Sequence, residues 1–296
     1  MPRRAGALES SRTTDCALPG SFATMVCAIV TKRRPTAGAS MDDMPQRKKI
    51  GILGGTGWPS TVHYYSELCR RSESRELQFD PTRPPTTPEM CIESLDLRYA
   101  VSLIGVDGDE STWQQFDDYH RIALKRLQAS DADFVVIASN TPHHRYSAIV
   151  SGVDIPVLNL FEAVAQHCQA EGHRDVLILG TALTMRSQVL RDAFTAKGIN
   201  ASAPAGNNHR QAVLTLIATL QRGDSDGAAR SIAALVREAT GRQFTATPAV
   251  CLACTELPLA FPAHQNRTSF ECDGIAYINP SVVHVEAALA LAFSDH

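Results

Sequence analysis

The sequence predicts an α/β fold of two pseudo-symmetric lobes, each a mainly parallel sheet flanked by helices, with the active site in the cleft between them. Two observations carry this. From Lys48 onward, short apolar runs alternate with stretches of helical period, the pattern of successive β-α units. Two pairs of segments also echo each other in the same order: IGILGGT (Ile50 to Thr56) with VLILGT (Val176 to Thr181), and FVVIASNT (Phe134 to Thr141) with AVCLACTE (Ala249 to Glu256). Ligands of open α/β sheets sit beyond the carboxyl ends of strands, so the four echoed loops should face one cleft.

The elements follow in order. Residues 1–47 mix Arg, Ser, Thr, Pro and Gly without periodicity, and read as a disordered extension. Strands are expected at Ile50 to Leu53, Met90 to Leu95, Phe134 to Ala138, Val176 to Leu179 and Ala249 to Ala253. Between them Trp113, Phe116, His120, Ala123 and Leu127 recur at helical spacing, as do Val213, Leu216, Ile217 and Leu220. The Pro-rich stretch Pro81 to Pro88 is a loop, placed where it could reach over a ligand. A helix from Pro280 to Phe293 closes the structure. Lobe one is thus expected over 48–155 plus 276–296, and lobe two over 156–275.

Composition narrows the function classes. Lys and Arg number 28 against 31 Asp and Glu, so no overall basic field exists to hold a phosphate backbone, and a nucleic-acid partner is not expected. Apolar runs such as Ala287 to Phe293 fall far short of the roughly 18 residues of a bilayer span, so a soluble protein without membrane contact is expected. The eight cysteines are scattered, and no convincing secretory signal precedes them. A cytoplasmic location with free thiols is the expectation. Only Cys251 and Cys254 have CxxC spacing, without a second pair or spaced histidines, which implies no metal site. A homodimer is compatible with base rates alone.

Cys254 ends an apolar strand and is followed by Thr255, Glu256 and Pro258, which places it at a strand-to-helix turn. Amides at such a turn stabilise a thiolate and lower a cysteine's pKa, usually about 8.5. A buried structural cysteine is the alternative. Cys251, three positions away along the strand, falls on the opposite face and reads as an inert neighbour. Ser139 occupies the equivalent place in lobe one, where Asn140 and Thr141 either bind a carboxylate or simply cap a helix. The GGTGW loop (Gly54 to Trp58) lacks the Lys of a P-loop and the third glycine of GxGxxG. It reads either as a tight turn that lets a small ligand approach the backbone or as a purely structural one. His143 and His144 diverge on a helix, one toward the cleft and one toward solvent, and His284 either packs or lines the cleft.

GILGGTGWPSTVHYY (Gly51 to Tyr65), ASNTPHH (Ala138 to His144), LGTALTM (Leu179 to Met185) and CTELPL (Cys254 to Leu259) together resemble the aspartate/glutamate racemase family over about residues 48–293. The resemblance implies two α/β lobes with the active site between them and catalysis without pyridoxal phosphate or any other cofactor. It implies a small amino-acid or dicarboxylate substrate whose α-proton a thiolate removes from one face while the other lobe returns a proton to the opposite face. By that match Cys254 is the acid/base of lobe two with Glu256 assisting, Asn140, Thr141 and Thr255 bind the α-carboxylate, and Thr56 and Thr181 line the pocket. The sequence departs from the family pattern at Ser139, where many members have cysteine. It departs again at Thr56 and Trp58, where methionine and proline are common. A hydroxyl is a far poorer base than a thiolate near neutral pH, so the exchange is expected to favour one direction. Two other readings stay open: a single-cysteine decarboxylase or isomerase of a small dicarboxylate, and a non-catalytic binder of small carboxylates.

Overall fold

The computed structural model describes residues 47–79, 81–82 and 86–294. All of its elements belong to the unit Arg47–His296. The disordered extension expected over residues 1–47 therefore lies, but for Arg47, outside the described residues, as does the middle of the Pro81 to Pro88 loop.

The first sheet has four parallel strands: β1 (Ile50–Gly54), β2 (Met90–Ser94), β3 (Phe134–Ile137) and β4 (Val157–Leu158), in the order β2-β1-β3-β4. Its helices are α1 (Trp58–Phe79), α2 (Leu97–Ser102), α3 (Gln114–Ala129) and α4 (Tyr146–Val150). The second sheet comprises β5 (Asp175–Gly180), β6 (Asn200–Ser202), β7 (Ala249–Ala253), β8 (Ser269–Cys272) and β9 (Ile275–Ile278), in the order β6-β5-β7-β9-β8. Only the β8–β9 pair is antiparallel. Around it lie α5 (Leu160–Ala170), α6 (Ala182–Arg186), α7 (Gln188–Thr195), α8 (Asn207–Gln221), α9 (Ala228–Ala239) and α10 (Pro280–Ala292).

The central strands are apolar throughout because helices cover both faces of each sheet. Their side chains alternate between two cores. In β1 and β3, Ile50, Ile52, Phe134 and Val136 pack with Tyr64 and Leu68 of α1 and with Val285 and Leu289 of α10. Leu53, Val135 and Ile137 turn the other way, toward Phe116, Leu124 and Leu127 of α3. The period of 2 holds equally in the second sheet. Cys251 joins Val176, Ile178 and Phe194 on one face, whereas Val250, Leu252 and Cys254 lie with Val213 and Ile217 of α8 on the other. The two cysteines of the CxxC pair are thus separated by the sheet, as the strand period requires.

The α10 helix is buried nearly all round. Val285 and Leu289 pack beneath the first sheet, while Val283 reaches the core under the second. His284 is fully buried within it; Nε2 donates to the Leu158 carbonyl at 3.1 Å, which leaves Nδ1 to accept from the Tyr64 hydroxyl at 3.0 Å. Of the two readings of His284, packing is the one the structure shows. No helix among the described residues is long and apolar enough to cross a membrane.

Candidate functional site

Loops after β1, β3, β5 and β7 line one cavity of about 150 Å³. It gathers all eight residues singled out in the sequence: Thr56 after β1, Ser139, Asn140 and Thr141 after β3, Thr181 after β5, and Cys254, Thr255 and Glu256 after β7. The four loops thus meet because each ends a central strand of a parallel sheet. The β1 turn depends on Gly55, whose φ is +88° and whose missing Cβ would lie 2.2 Å from the Leu95 carbonyl oxygen. Backbone of the neighbouring loop takes the space a side chain would need, so at Gly55 the structural reading of the GGTGW turn holds.

Cys254 is 7% exposed, and its thiol donates to Oε2 of Glu256 at 2.8 Å. The same carboxylate accepts from the Thr255 hydroxyl at 3.1 Å and, through Oε1, from the Gln221 amide at 3.2 Å. Burial pushes the Cys254 thiol well above its ordinary pKa, and the adjacent Glu256 charge pushes the same way. The amides of Thr255 and Glu256 favour the thiolate but are outweighed. The lowered pKa expected from the sequence is therefore corrected: a strand-to-turn position supplies amides, yet desolvation and a carboxylate two residues on overrule them. The segment that follows is also a 3₁₀ turn (Leu257–Ala260) rather than an α-helix, so no long helix dipole assists.

Ser139 faces the same cavity from the end of β3, half-buried. Asn140 opens a 3₁₀ turn (Thr141–Arg145), and its side chain makes no capping bond to it, so the simple capping reading of this carboxamide fails. Thr181 does cap: its hydroxyl accepts from the Thr184 amide at 3.4 Å and meets the Thr184 hydroxyl at 3.0 Å.

The histidine pair departs from expectation. His143 is fully buried, stacked on Tyr146, and burial holds its pKa well below 6.5. His144 is not solvated either. Its Nδ1 lies 2.7 Å from the Ser187 hydroxyl and its Nε2 3.3 Å from that of Thr184, tying the loop after β3 to residues that follow β5. Burial lowers its pKa to about 4, so it is neutral near pH 7.

Sequence reasoning missed Gln221, Thr184 and Ser60, which also line the cavity. Gln221 ends α8 and reaches Glu256 across 35 positions, and no local motif marks it.

The Asp/Glu/hydantoin racemase family model matches residues 53–288. Solved structures share the fold. An aspartate racemase homologue from Pyrococcus horikoshii is 24% identical, with a TM-score of 0.66 and coverage of 83% of this chain and all of that one. An Asp/Glu racemase candidate from Yersinia pestis is 22% identical, with a TM-score of 0.69 and the same coverage. An aspartate racemase from Picrophilus torridus is 20% identical, with a TM-score of 0.61, over 83% of this chain and 94% of that one. With that match spanning both sheets and all four cavity loops, the chain belongs to the Asp/Glu/hydantoin racemase family.

Proposed function

We propose that the protein is a cofactor-independent racemase or epimerase of aspartate, glutamate or a related amino acid, working by thiol-mediated transfer of the α-proton. The observation that carries this is the placement of Cys254 and Ser139 at the ends of two central strands in one cavity, with Glu256 bonded to the thiol. In this reading the α-carboxylate binds against Asn140, Thr141 and Thr255, and the α-carbon lies between Cys254 and Ser139. Glu256 takes the thiol proton, the thiolate removes the α-proton, and the electron pair left on carbon delocalises into the carboxylate. The amide and hydroxyl donors around that carboxylate stabilise the charge as it develops. A substrate ammonium beside Glu256 would offset the charge that keeps the thiol protonated. Return of a proton from the Cys254 side restores the starting enantiomer, and return from the Ser139 side inverts it.

Two observations favour other readings. The single thiol suits a decarboxylase in which Cys254 protonates a carbanion after loss of carbon dioxide from a small dicarboxylate. The buried, protonated thiol suits a non-catalytic binder of small carboxylates, which has no need of a lowered thiol pKa.

Loss of the α-proton signal of D- and L-amino acids in deuterated water, with chiral analysis of the products, tests the proposal. Exchange that vanishes in Cys254→Ala is the expected result. No exchange with any amino acid would overturn it, and carbon dioxide release from a malonate would then identify the decarboxylase.

A further inference from the structure

We infer that the side-chain subsite of this cavity takes a short, uncharged aliphatic group, so that the substrate is a monocarboxylic amino acid rather than aspartate or glutamate. The inference rests on the racemase reading above for its placement of the α-carbon. Beside Ser139 the cavity opens into a second hollow of about 50 Å³, which shares Thr56, Ser139 and Thr141 with it. The rest of that hollow is Leu97, Ala100, Val101, Ile104, Phe116 and Pro142, a wall with neither charge nor side-chain donor. At about 10–15 Å³ per water-sized group, it has room for roughly three or four heavy atoms.

The wall is pinned from behind. The Asp96 carboxylate accepts from the Tyr99 amide at 2.7 Å and starts α2, and the Trp113 indole donates to the Val106 carbonyl at 3.0 Å. A Cβ on Gly105 would lie 2.6 Å from the Trp113 ring, so the chain beyond α2 is pressed against that side chain. Yet Leu97, Val101 and Ile104 on this fixed wall are 45%, 55% and 43% exposed. Adjacent large apolar side chains left open around a hollow mark a contact surface for an apolar group.

Electrostatics points the same way. On the other flank, beyond Gln221 and Glu256, a hollow of about 210 Å³ is lined by His63 and Asn279 among other uncharged groups. His63 is held below its ordinary pKa by burial, hence neutral near pH 7. Among the described residues lining these three hollows none is Lys or Arg, and Glu256 is the carboxylate. A second substrate carboxylate would meet no counter-charge in these hollows and would be repelled by Glu256.

The test compares kcat/KM for leucine, norvaline, alanine, aspartate and glutamate in the exchange assay, with Val101→Trp filling the hollow and Ile104→Arg supplying a cation. Leucine or norvaline should exceed both dicarboxylic amino acids at least tenfold. Val101→Trp should reduce leucine at least tenfold more than alanine, and Ile104→Arg should raise glutamate relative to leucine. Preference of the parent for aspartate or glutamate would overturn the inference while leaving the racemase reading standing. Calorimetric titration with 4-methylpentanoate and glutarate separates the two claims. If no amino acid exchanges but 4-methylpentanoate binds more tightly than glutarate and Val101→Trp weakens it, the racemase reading fails and the subsite stands. Tighter binding of glutarate would overturn the subsite.

Discussion

The loops after β3 and β7 are built alike and equipped differently. Each follows a fully buried central strand, each enters a short 3₁₀ turn whose second residue is proline (Pro142, Pro258), and each faces the same cavity. The β7 loop presents a thiol with a carboxylate 2.8 Å away to receive its proton, whereas the β3 loop presents the hydroxyl of Ser139 followed by the amide of Asn140. Equivalent backbone therefore does not imply equivalent chemistry. A thiol, even one raised by burial, is far more acidic than an alcohol, so on the proposed reading the two faces of a substrate bound between them would be treated unequally. The inequality cannot appear as a difference in kcat/KM between directions, because the equilibrium constant of a racemisation is one. On the racemase reading proposed above it must appear in proton exchange, with Cys254 exchanging the proton of one enantiomer without inverting it.

The harshest way to break the comparison is to remove its active side. Cys254→Ser should lower α-proton exchange by roughly 10³-fold or more, the upper range for loss of a positioned acid/base group, with circular dichroism showing an intact fold. Equipping the weaker side comes next. Ser139→Cys should raise the rate of inversion by about 10- to 100-fold, read by polarimetry, and an unchanged rate would mean that proton return at Ser139 is not limiting.

A smaller effect tests the pairing of Cys254 with Glu256. Reaction needs the thiolate, and burial together with the Glu256 charge raises the thiol pKa, so below that pKa reactivity should climb about tenfold per pH unit. Glu256→Gln removes a charge that raises the pKa, so the limb should move to lower pH. Alkylation of Cys254 by iodoacetamide across pH 6 to 10 reads this without any assumption about substrate. A limb that stays in place or moves upward would contradict the effect of the Glu256 charge on the thiol.

The smallest effect concerns the tie between the β3 loop and the residues after β5. His144 titrates at about 4 when folded and near its ordinary 6.5 when unfolded, so between those values the unfolded chain binds more protons. Its contribution is present in full above pH 6.5 and is lost as pH falls toward 4. His144→Gln should flatten part of that loss in urea titrations at pH 7 and pH 5, by an amount on the order of 1 kcal/mol.

The strands β1, β3, β5 and β7 were legible because they are covered on both faces and show as nearly uninterrupted apolar runs, whereas the edge strand β2, of mixed burial, was marked only by its apolar start, Met90 to Ile92. The strands β4, β6, β8 and β9 were not legible. They have two to four residues, too few to show a period, and lie at or near sheet edges, where the exposed Asn200 and the half-buried Ser269 further interrupt β6 and β8. The cavity's eight residues could be read from four strand ends because parallel sheets bring such ends together. Gln221 could not, since it depends on where a helix happens to end, and Thr184, though inside the LGTALTM segment, carried no signal of its own. The protonated state of Cys254 was misread because the sequence shows which amides are near but not how deeply the sulfur is buried or where the Glu256 carboxylate turns. His144 was misread for a related reason, since its partners Ser187 and Thr184 lie about forty residues away.

The most direct test of the unequal cavity measures deuterium uptake at the α-carbon separately from each enantiomer of one accepted amino acid, alongside the rate of inversion. We predict that for the enantiomer whose α-proton faces Cys254 uptake outruns inversion, that for its mirror image the two rates match, and that Ser139→Cys erases the difference. Uptake equal to inversion from both enantiomers in the parent protein would contradict the account, because it would mean that the serine side moves protons as readily as the thiol.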